Sequence, residues 1–357
     1  MKDKPKLIFW QNIISPHQSH FLNEIGKEYE VLLIVEDYIS KDRQLQGWES
    51  PTINNVQIVK IKDSQHLFQL INECKKELNF FSGFLGMGYP NLQIAYKELA
   101  KHQKLNIITE CPILLGKKKF LKILKYKLLY YKNRRQIAHI FAMGNLGQLF
   151  FKNIGFDSDK VSAFQYFIEE KELSNIKEGT NDVVDFIFVG QLIYRKGIDN
   201  LIDAFYKLQT IKKWKLSIVG SGDLENHLKQ KVKNYGLENK IHFKGNLSNK
   251  EVRNEIEIAN YLILPSRFDG WGAVVSEALS VGTKVICSDK CGSSILIDET
   301  NGYVYNENSI NDLKESLEFA LYDNPDVNSR ECIIKQFNKT TKSKLEEFIE
   351  IISKQLL

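Results

Sequence analysis

The sequence lacks any apolar run long enough to cross a membrane. None of its 357 residues lies in a stretch approaching the roughly 20 apolar residues that a transmembrane helix needs. The start of the chain has only a short hydrophobic run and no small-residue cleavage site, so we expect no secretory signal peptide. These absences predict a cytoplasmic protein.

Cysteine is scarce, with five residues spread widely along the chain. A disulfide framework is typical of small secreted chains with an even set, so we expect reduced thiols here. Cys287 and Cys291 have no histidine or second cysteine pair beside them, which favours buried thiols over a metal site. No Asp-x-Asp pair follows a predicted strand in the second half either, and we expect neither a metal ion nor a cofactor.

The charge balance argues against a broad nucleic-acid-binding surface. The formal net charge is +5, yet residues 117–135 carry nine Lys and Arg and no acid, so the rest of the chain is net acidic. Wrapped as a helix, this segment has one basic and one apolar stripe. The stripes are Lys118, Lys122, Lys125 and Lys132, and Phe120, Leu121, Leu124, Leu128 and Tyr131. Such a helix suits an anionic membrane surface, and a helix packed on its own domain explains the pattern equally well.

Strand and helix signals alternate along the whole chain, which is long enough for two domains. In the first half, strands are predicted at 7–10, 31–35, 56–61, 80–85, 106–109, 138–142 and 161–164, and helices at 67–78, 92–100 and 146–154. In the second half, strands are predicted at 186–189, 216–219, 241–243, 261–264 and 284–287. The pattern predicts an α/β protein with domains at 1–166 and 167–340 and an amphipathic helix at about 341–357.

The most informative stretch is 261–288, which reads as strand, loop, helix and strand. Ligands of parallel sheets bind at the carboxyl ends of the strands, where loop amides and a helix N-terminus suit phosphate. Gly270 and Gly272 allow close backbone approach in that loop. The unit contains two acids. Asp269 lies in the loop, where a carboxylate suits sugar hydroxyls, and Glu277 lies about two turns into the helix, where a carboxylate suits the hydroxyls of a ribose. The alternative is a helix-capping Asp269 and a solvated Glu277.

This stretch resembles the signature of the retaining nucleotide-sugar glycosyltransferases of family four, which have the GT-B fold. The matching positions are Pro265, Ser266, Asp269, Gly270, Gly272, Glu277, Ala278, Gly282, Val285 and Ile286. One position differs, because the first acid is Asp269 where the family has Glu. The resemblance implies two Rossmann-like domains facing a central cleft, with a catalytic role for Asp269 and the donor in the second domain. The implied donor-binding residues of this stretch are Asp269, Gly270, Trp271, Gly272, Ala273, Val274 and Glu277.

Two cations, Arg195 and Lys196, lie in the loop after the first strand of the second domain, where they suit a diphosphate. This loop looks like the family's stretch that starts with a glycine, here Gly190, and whose Arg and Lys neutralise the leaving diphosphate as catalytic groups. Gln191 replaces the family's usual Arg, and a solvated basic loop is the alternative. Fixed cations of this kind would replace a metal ion. Residues 241–245 resemble the family segment that frames the nucleotide base, where Lys244 is a candidate contact and an ordinary surface lysine is the alternative.

In the first domain, His17 lies in the first strand-to-helix loop and is a candidate contact for the acceptor. His20 lies one turn into the helix and is a better candidate for packing or capping. Glu110 follows another strand at a place where many relatives carry a histidine, which Thr109 replaces here. Glu110 is a candidate for a base, for a group that orients the acceptor, or for a helix cap.

These patterns predict a retaining, metal-independent glycosyltransferase of the hexosyltransferase class. It would move a sugar from a nucleotide sugar, most often a UDP-sugar in look-alikes, to a glycan or lipid-linked glycan in surface-polysaccharide synthesis. If 117–135 binds lipid, the protein would lie at the inner face of the membrane. A sugar-nucleotide epimerase is one alternative, although no convincing acid/base pair is found in the first domain. A catalytically weak partner protein is another, favoured by Gln191, Asp269 and Thr109. The glycine turn at 220–222 lacks the third glycine of a dinucleotide-binding fingerprint, which argues against NAD binding.

Overall fold

The computed structural model describes residues 4–39, 51–168, 183–323 and 325–357. These residues form two compact units. The first holds 4–39, 51–168 and 342–357, and the second holds 183–323 and 325–341. The division after residue 168 lies two positions beyond the domain end predicted at 166. The predicted polar segment 169–181 lies outside the described residues.

The first unit is built on a sheet of parallel strands with helices between them. Its strands are β1 (Lys6–Gln11), β2 (Glu30–Val35), β3 (Gln57–Lys60), β4 (Leu78–Ser82), β5 (Leu105–Thr109), β6 (Ile137–Met143) and β7 (Val161–Phe164). They lie in the order β3-β2-β1-β4-β5-β6-β7, and every neighbouring pair is parallel. The helices are α1 (Pro16–Glu28), α2 (Ser64–Cys74), α3 (Pro90–Leu99), α4 (Lys119–Asn133) and α5 (Gly144–Ile154). Helical crossovers connect these parallel strands. Because the strands are parallel, all their carboxyl ends lie at the same edge of the sheet.

Large apolar side chains fill the first unit. β1 and β2 are buried along nearly their whole length, as expected for strands covered on both faces. The C-terminal helix contributes Phe348, whose ring centroid lies 4.9 Å from that of Phe21 and 4.7 Å from that of Phe141. The residues from Lys342 onward therefore belong to this unit through their packing.

The second unit has the same type of architecture. Its strands are β8 (Val183–Val189), β9 (Lys213–Val219), β10 (Ile241–Gly245), β11 (Tyr261–Leu264), β12 (Lys284–Ser288) and β13 (Gly302–Tyr305). They lie in the order β10-β9-β8-β11-β12-β13 and all pairs are parallel. The helices are α6 (Ile198–Tyr206), α7 (Glu225–Asn234), α8 (Asn249–Ile258), α9 (Ala273–Ser280) and α10 (Ile310–Tyr322). Five of these strands agree with the predicted ones, and β13 is an addition to them.

The last helix, α11 (Val327–Leu356), starts earlier than the sequence indicated. The predicted start near 341 is wrong, because the Asp326 carboxylate accepts a hydrogen bond from the Ser329 amide at 2.8 Å and so begins the helix. Arg330 Nη2 then donates to the carbonyl oxygen of Ala259 at 2.6 Å, which fixes this end within the second unit.

The basic segment 117–135 forms α4 and a following turn, Arg134–Gln136. The helix contacts the first unit through its tyrosines, with the ring of Tyr126 lying 5.2 Å from that of Phe150. The predicted apolar stripe faces solvent instead, since Phe120 is 71% exposed and Leu121 is 66% exposed. The helix is therefore packed on its own domain with its lysines exposed, as the alternative predicted, but the packing surface is its tyrosines and not the apolar stripe. Within the described ranges, no helix is both long enough and apolar enough to span a bilayer.

Candidate active site

Three segments of the second unit meet at the carboxyl ends of neighbouring strands. β8 pairs with β11, and β11 pairs with β12, so three segments lie side by side: 190–197, 265–272 and 289–292. Backbone hydrogen bonds join them. The Arg267 amide donates to the Arg195 carbonyl at 2.8 Å, and the Asp269 amide donates to the Lys290 carbonyl at 2.9 Å. This edge is the one at which ligands of parallel α/β sheets bind.

Glycines permit this close approach. A Cβ on Gly197, where φ is +67°, would lie 2.0 Å from the carbonyl oxygen of Pro265. A Cβ on Gly220, where φ is +124°, would lie 2.0 Å from the carbonyl oxygen of Gly190. Both contacts are far too short for any side chain, so these loops can only meet through glycine.

The two predicted cations converge on the first predicted acid. Lys196 Nζ donates to Asp269 Oδ2 at 2.6 Å, and Arg195 Nη1 lies 3.5 Å from the same oxygen. The side chains of Lys196 and Asp269 are only 13% and 12% exposed, so this is not a solvated basic loop. Arg195 also donates to the carbonyl oxygen of Phe268 at 3.0 Å. The cluster carries one positive charge in excess, within a largely desolvated setting.

The cluster adjoins the start of α9. Asp269 Cγ lies 3.8 Å from the position that a Cβ would take on Gly272, which is the N-cap residue with φ +89°. The helix has no side-chain cap hydrogen bond, so the alternative in which Asp269 caps it is wrong. Among the described residues, the amides of Gly272, Ala273 and Val274 find no acceptor. Unfilled donors at the positive end of a helix dipole are suited to an anion.

Glu277 lies on α9 and is half-buried. Burial raises the pKa of its carboxyl from 4.5 to about 7, and the positive charge of Arg253 opposes this rise. Glu277 is therefore partly shielded from solvent and is neither fully buried nor fully solvated. Near neutral pH a carboxyl with this pKa populates both protonation states, and it can form hydrogen bonds with hydroxyl groups in either state.

Sequence reasoning missed Arg267, which holds the cation-bearing loop in place. Its two terminal nitrogens donate to the two carboxylate oxygens of Asp199 at 2.7 Å each. Its guanidinium lies 4.1 Å from the ring centroid of Tyr194, the residue before Arg195. Arg267 and Asp199 are 68 positions apart in the chain, so no local pattern could have paired them.

The other residues predicted to bind the donor differ in their burial and contacts. Trp271 is fully buried, and its indole nitrogen donates to Ser276 Oγ at 3.1 Å, so its side chain packs inside the unit. The Gly270 carbonyl lies against Gly292, where a Cβ would approach it to 2.2 Å. Lys244, at the end of β10, forms an ion pair with Glu255 of α8.

The first unit brings its own predicted residues together. His17 lies in the first turn of α1, which begins at Pro16, and not in the loop before it as predicted. Glu110 follows β5, and both residues lie at the carboxyl edge of the sheet. The Tyr166 hydroxyl donates to Glu110 Oε1, and its ring stacks on His17 with centroids 5.1 Å apart. Tyr166 was not predicted as a site residue, since a tyrosine after a strand carries no signal without its partners. Thr109 lies at the end of β5 with a buried side chain.

Sequence comparisons find a known family that the second unit resembles. Residues 169–340 match the model of the glycosyl transferases group 1. Two relatives from Methanocaldococcus jannaschii, both described as uncharacterized glycosyltransferases, are 35% identical over 124 residues and 28% identical over 215 residues. These alignments cover 34% and 52% of this chain but only 32% and 59% of the relatives' lengths. A poly(glycerol-phosphate) alpha-glucosyltransferase of Bacillus subtilis is 29% identical over 134 residues, 37% of this chain and 20% of that protein.

Solved structures resemble the whole chain. HepE from Anabaena, in complex with UDP, gives a TM-score of 0.71 at 14% identity and covers 98% of this chain and 100% of that chain. The lipopolysaccharide outer core galactosyltransferase WaaB gives 0.69 at 18% identity, with coverage of 98% and 99%. The fold is therefore the GT-B fold of glycosyltransferases, as predicted. Within it, residues 169–340 match the model of the glycosyl transferases group 1.

Proposed function

We propose that this chain is a glycosyltransferase that moves a sugar from a nucleoside-diphosphate sugar to a glycan or lipid-linked glycan. The observation that carries the proposal is the pairing of Lys196 and Arg195 with Asp269 beside the unfilled amides of Gly272 to Val274. Cations and helix amides at one place suit a diphosphate. The solved HepE complex with UDP supports a uridine nucleotide. The names of WaaB and of the B. subtilis relative support an acceptor in polysaccharide synthesis.

In this proposal the cations stabilise the leaving group. The bond between the anomeric carbon and the diphosphate breaks, and the diphosphate departs with the electron pair and its added negative charge. Lys196, Arg195 and the α9 amides would stabilise that charge without rearranging, which is the most effective form of electrostatic catalysis. A metal ion would then be unnecessary.

The acids would orient the donor. Glu277 would hold the two ribose hydroxyls, which its pKa of about 7 allows it to do in either protonation state. Asp269 would hold Lys196 in position before the donor binds and then accept a hydrogen bond from the transferred sugar. Retention of the anomeric configuration follows if the acceptor attacks on the face from which the diphosphate leaves. The departing phosphate oxygen would then accept the acceptor's proton.

The polar group of the first unit is the proposed acceptor contact. His17 and Glu110 are held near each other by Tyr166, and all three offer hydrogen bonds to sugar hydroxyls. In this proposal the group orients the acceptor rather than removing its proton, because the leaving phosphate performs that step.

Donor binding tests the proposal directly. Calorimetric titration of UDP, GDP and UDP-sugars should show binding of a nucleoside diphosphate that Lys196→Ala weakens by roughly tenfold to a hundredfold, the value of one charge-assisted hydrogen bond. Glu277→Ala should weaken binding of the nucleotide but not of inorganic pyrophosphate. Lys229→Ala, which removes an exposed lysine of α7, is the matched control. Equal affinities in all variants would exclude this site. Conversion of a UDP-sugar without acceptor would instead indicate an epimerase.

We also propose that α4 lies on an anionic membrane surface. Its apolar stripe is exposed, with Leu128 63% accessible, and lysines flank it. Leu124→Ser/Leu128→Ser should abolish co-sedimentation with phosphatidylglycerol vesicles. Leu149→Ser, at an exposed leucine of α5, should leave it unchanged. Equal sedimentation of the two variants would refute a role for this stripe.

A further inference from the structure

A cavity of about 500 Å³ lies in the first unit, away from the polar group around His17. Four cations and one acid line it: Lys104, Arg134, Arg135, Lys160 and Asp157. Their formal charges leave the lining with an excess of three positive charges. Neither the proposed donor site nor the proposed acceptor contact uses any of these side chains.

The topology explains why these cations meet. Lys104 directly precedes β5, the turn Arg134–Gln136 directly precedes β6, and Lys160 directly precedes β7. β5, β6 and β7 are neighbouring parallel strands, so their amino ends follow one another at intervals of about 4.8 Å. The cavity therefore lies at the amino edge of the sheet, the edge opposite to the one that carries His17 and Glu110.

The charges of this cavity are poorly compensated. Lys160 Nζ lies 3.5 Å from Asp157 Oδ2. Within the described parts of the chain, Lys104, Arg134 and Arg135 form no ion pair with a carboxylate. Cations that line one cavity repel each other, although water screens exposed ones, and a bound anion would reduce this repulsion. The negative end of the α4 dipole offsets only part of this charge.

Aromatic rings orient one of the guanidinium groups. Tyr130 and Phe156 form the apolar wall of the cavity, with ring centroids 4.5 Å apart. The Arg134 guanidinium lies 5.9 Å from the ring centroid of Tyr130 and 5.3 Å from that of Tyr131. Contacts of this kind with an aromatic ring leave guanidinium N–H groups free to donate to an oxyanion.

We propose that this cavity binds the phosphoryl group of a phosphorylated ligand. Arginine forks match the oxygens of a phosphate monoester or diester, and lysines add charge. The volume is that of a small-molecule pocket and exceeds the size of a lone phosphate, so the Tyr130–Phe156 wall would contact an organic part of the ligand. The ligand is either a free phosphorylated compound or the headgroup of a phospholipid, since the cavity adjoins the end of α4.

Two binding assays on the full chain distinguish these sources. In the first, inorganic pyrophosphate is titrated calorimetrically in the presence of saturating UDP, which occupies the proposed donor site. In the second, phosphatidylglycerol vesicles and pure phosphatidylcholine vesicles are compared by co-sedimentation. The test variant is Arg134→Gln/Arg135→Gln. Because Arg134 packs over Tyr130, Lys104→Gln/Lys160→Gln is a second test pair that leaves this packing intact.

The control pair Lys62→Gln/Lys97→Gln removes the same charge from exposed positions of the first unit outside the cavity. We expect each test pair to weaken pyrophosphate binding at least about tenfold and the control pair to leave it unchanged. If the test pairs weaken only the binding to phosphatidylglycerol vesicles, the result would support the site with a lipid headgroup as its ligand. If the test pairs match the control pair in both assays, the proposal is wrong. Failure of UDP to bind would refute the proposed donor site alone, because the test pairs are read out against pyrophosphate and vesicles.

Discussion

The partly buried carboxyl of Glu277 predicts a pH dependence of stability that its amide analogue should lack. Burial raises its pKa from 4.5 to about 7, so the fold disfavours its charged form. Because one pKa unit corresponds to about 1.36 kcal/mol, this group should lower the free energy of unfolding by about 3 kcal/mol above pH 7. The loss begins as pH rises past the unfolded pKa of 4.5 and is complete above the folded value.

Glu277→Gln removes the titrating group and keeps its shape. Urea denaturation should show the variant and the wild type equally stable near pH 4.5, and the variant more stable by up to about 3 kcal/mol at pH 8. Glu299→Gln, at an exposed position of the same unit, is the control and should show no such divergence. A constant difference between Glu277→Gln and wild type at both pH values would refute the assigned burial cost.

Three further predictions concern the site loops and the first unit. Gly197→Ala should lower stability far more than Gly236→Ala by urea denaturation, because both have φ near +65° but only Gly197 faces a carbonyl, that of Pro265. Equal losses would show that the contact with Pro265 relaxes freely. Tyr166→Phe should raise the KM for acceptor while leaving UDP affinity unchanged, and a change in UDP affinity instead would contradict its assignment. UDP binding should release protons near pH 7, since ribose hydroxyls favour the charged form of Glu277. Calorimetry in buffers of different ionisation enthalpy would measure that proton release. Glu277→Gln should abolish it, and the absence of proton release in the wild type would exclude the ribose contact.

The sequence predicted the fold and the strand, loop, helix and strand of 261–288 well. The run 261–288 gave β11, α9 and β12 nearly at their true bounds, because buried parallel strands are short apolar runs and Gly282 ends the helix with φ +78°. These signals are local, and they predict the structure correctly because local preference and tertiary packing agree in this stretch. The sequence placed Arg195, Lys196 and Asp269 in loops after strands, and the pairing of β8 with β11 in the structure brings those loops together.

The features that sequence reasoning missed depend on contacts between distant residues. No pattern indicated that Asp269 would pair with Lys196, since the two lie 73 positions apart. The edge strand β13 is only four residues long, and its pairing with β12 rather than its composition defines it. The start of α11 depends on the Asp326 cap, and the spacing of apolar residues around it does not show where the helix begins. Helical periodicity likewise gave the apolar stripe of α4 but not the direction in which it faces.

Hydrogen exchange with and without UDP tests the donor site most directly. The amides of Ala273 and Val274 have no acceptor among the described residues, so they should exchange fast in the free protein and slowly in the complex. Peptides covering 190–197 and 265–277 should be protected together. Protection confined to other segments, or no protection at saturating UDP, would contradict the account.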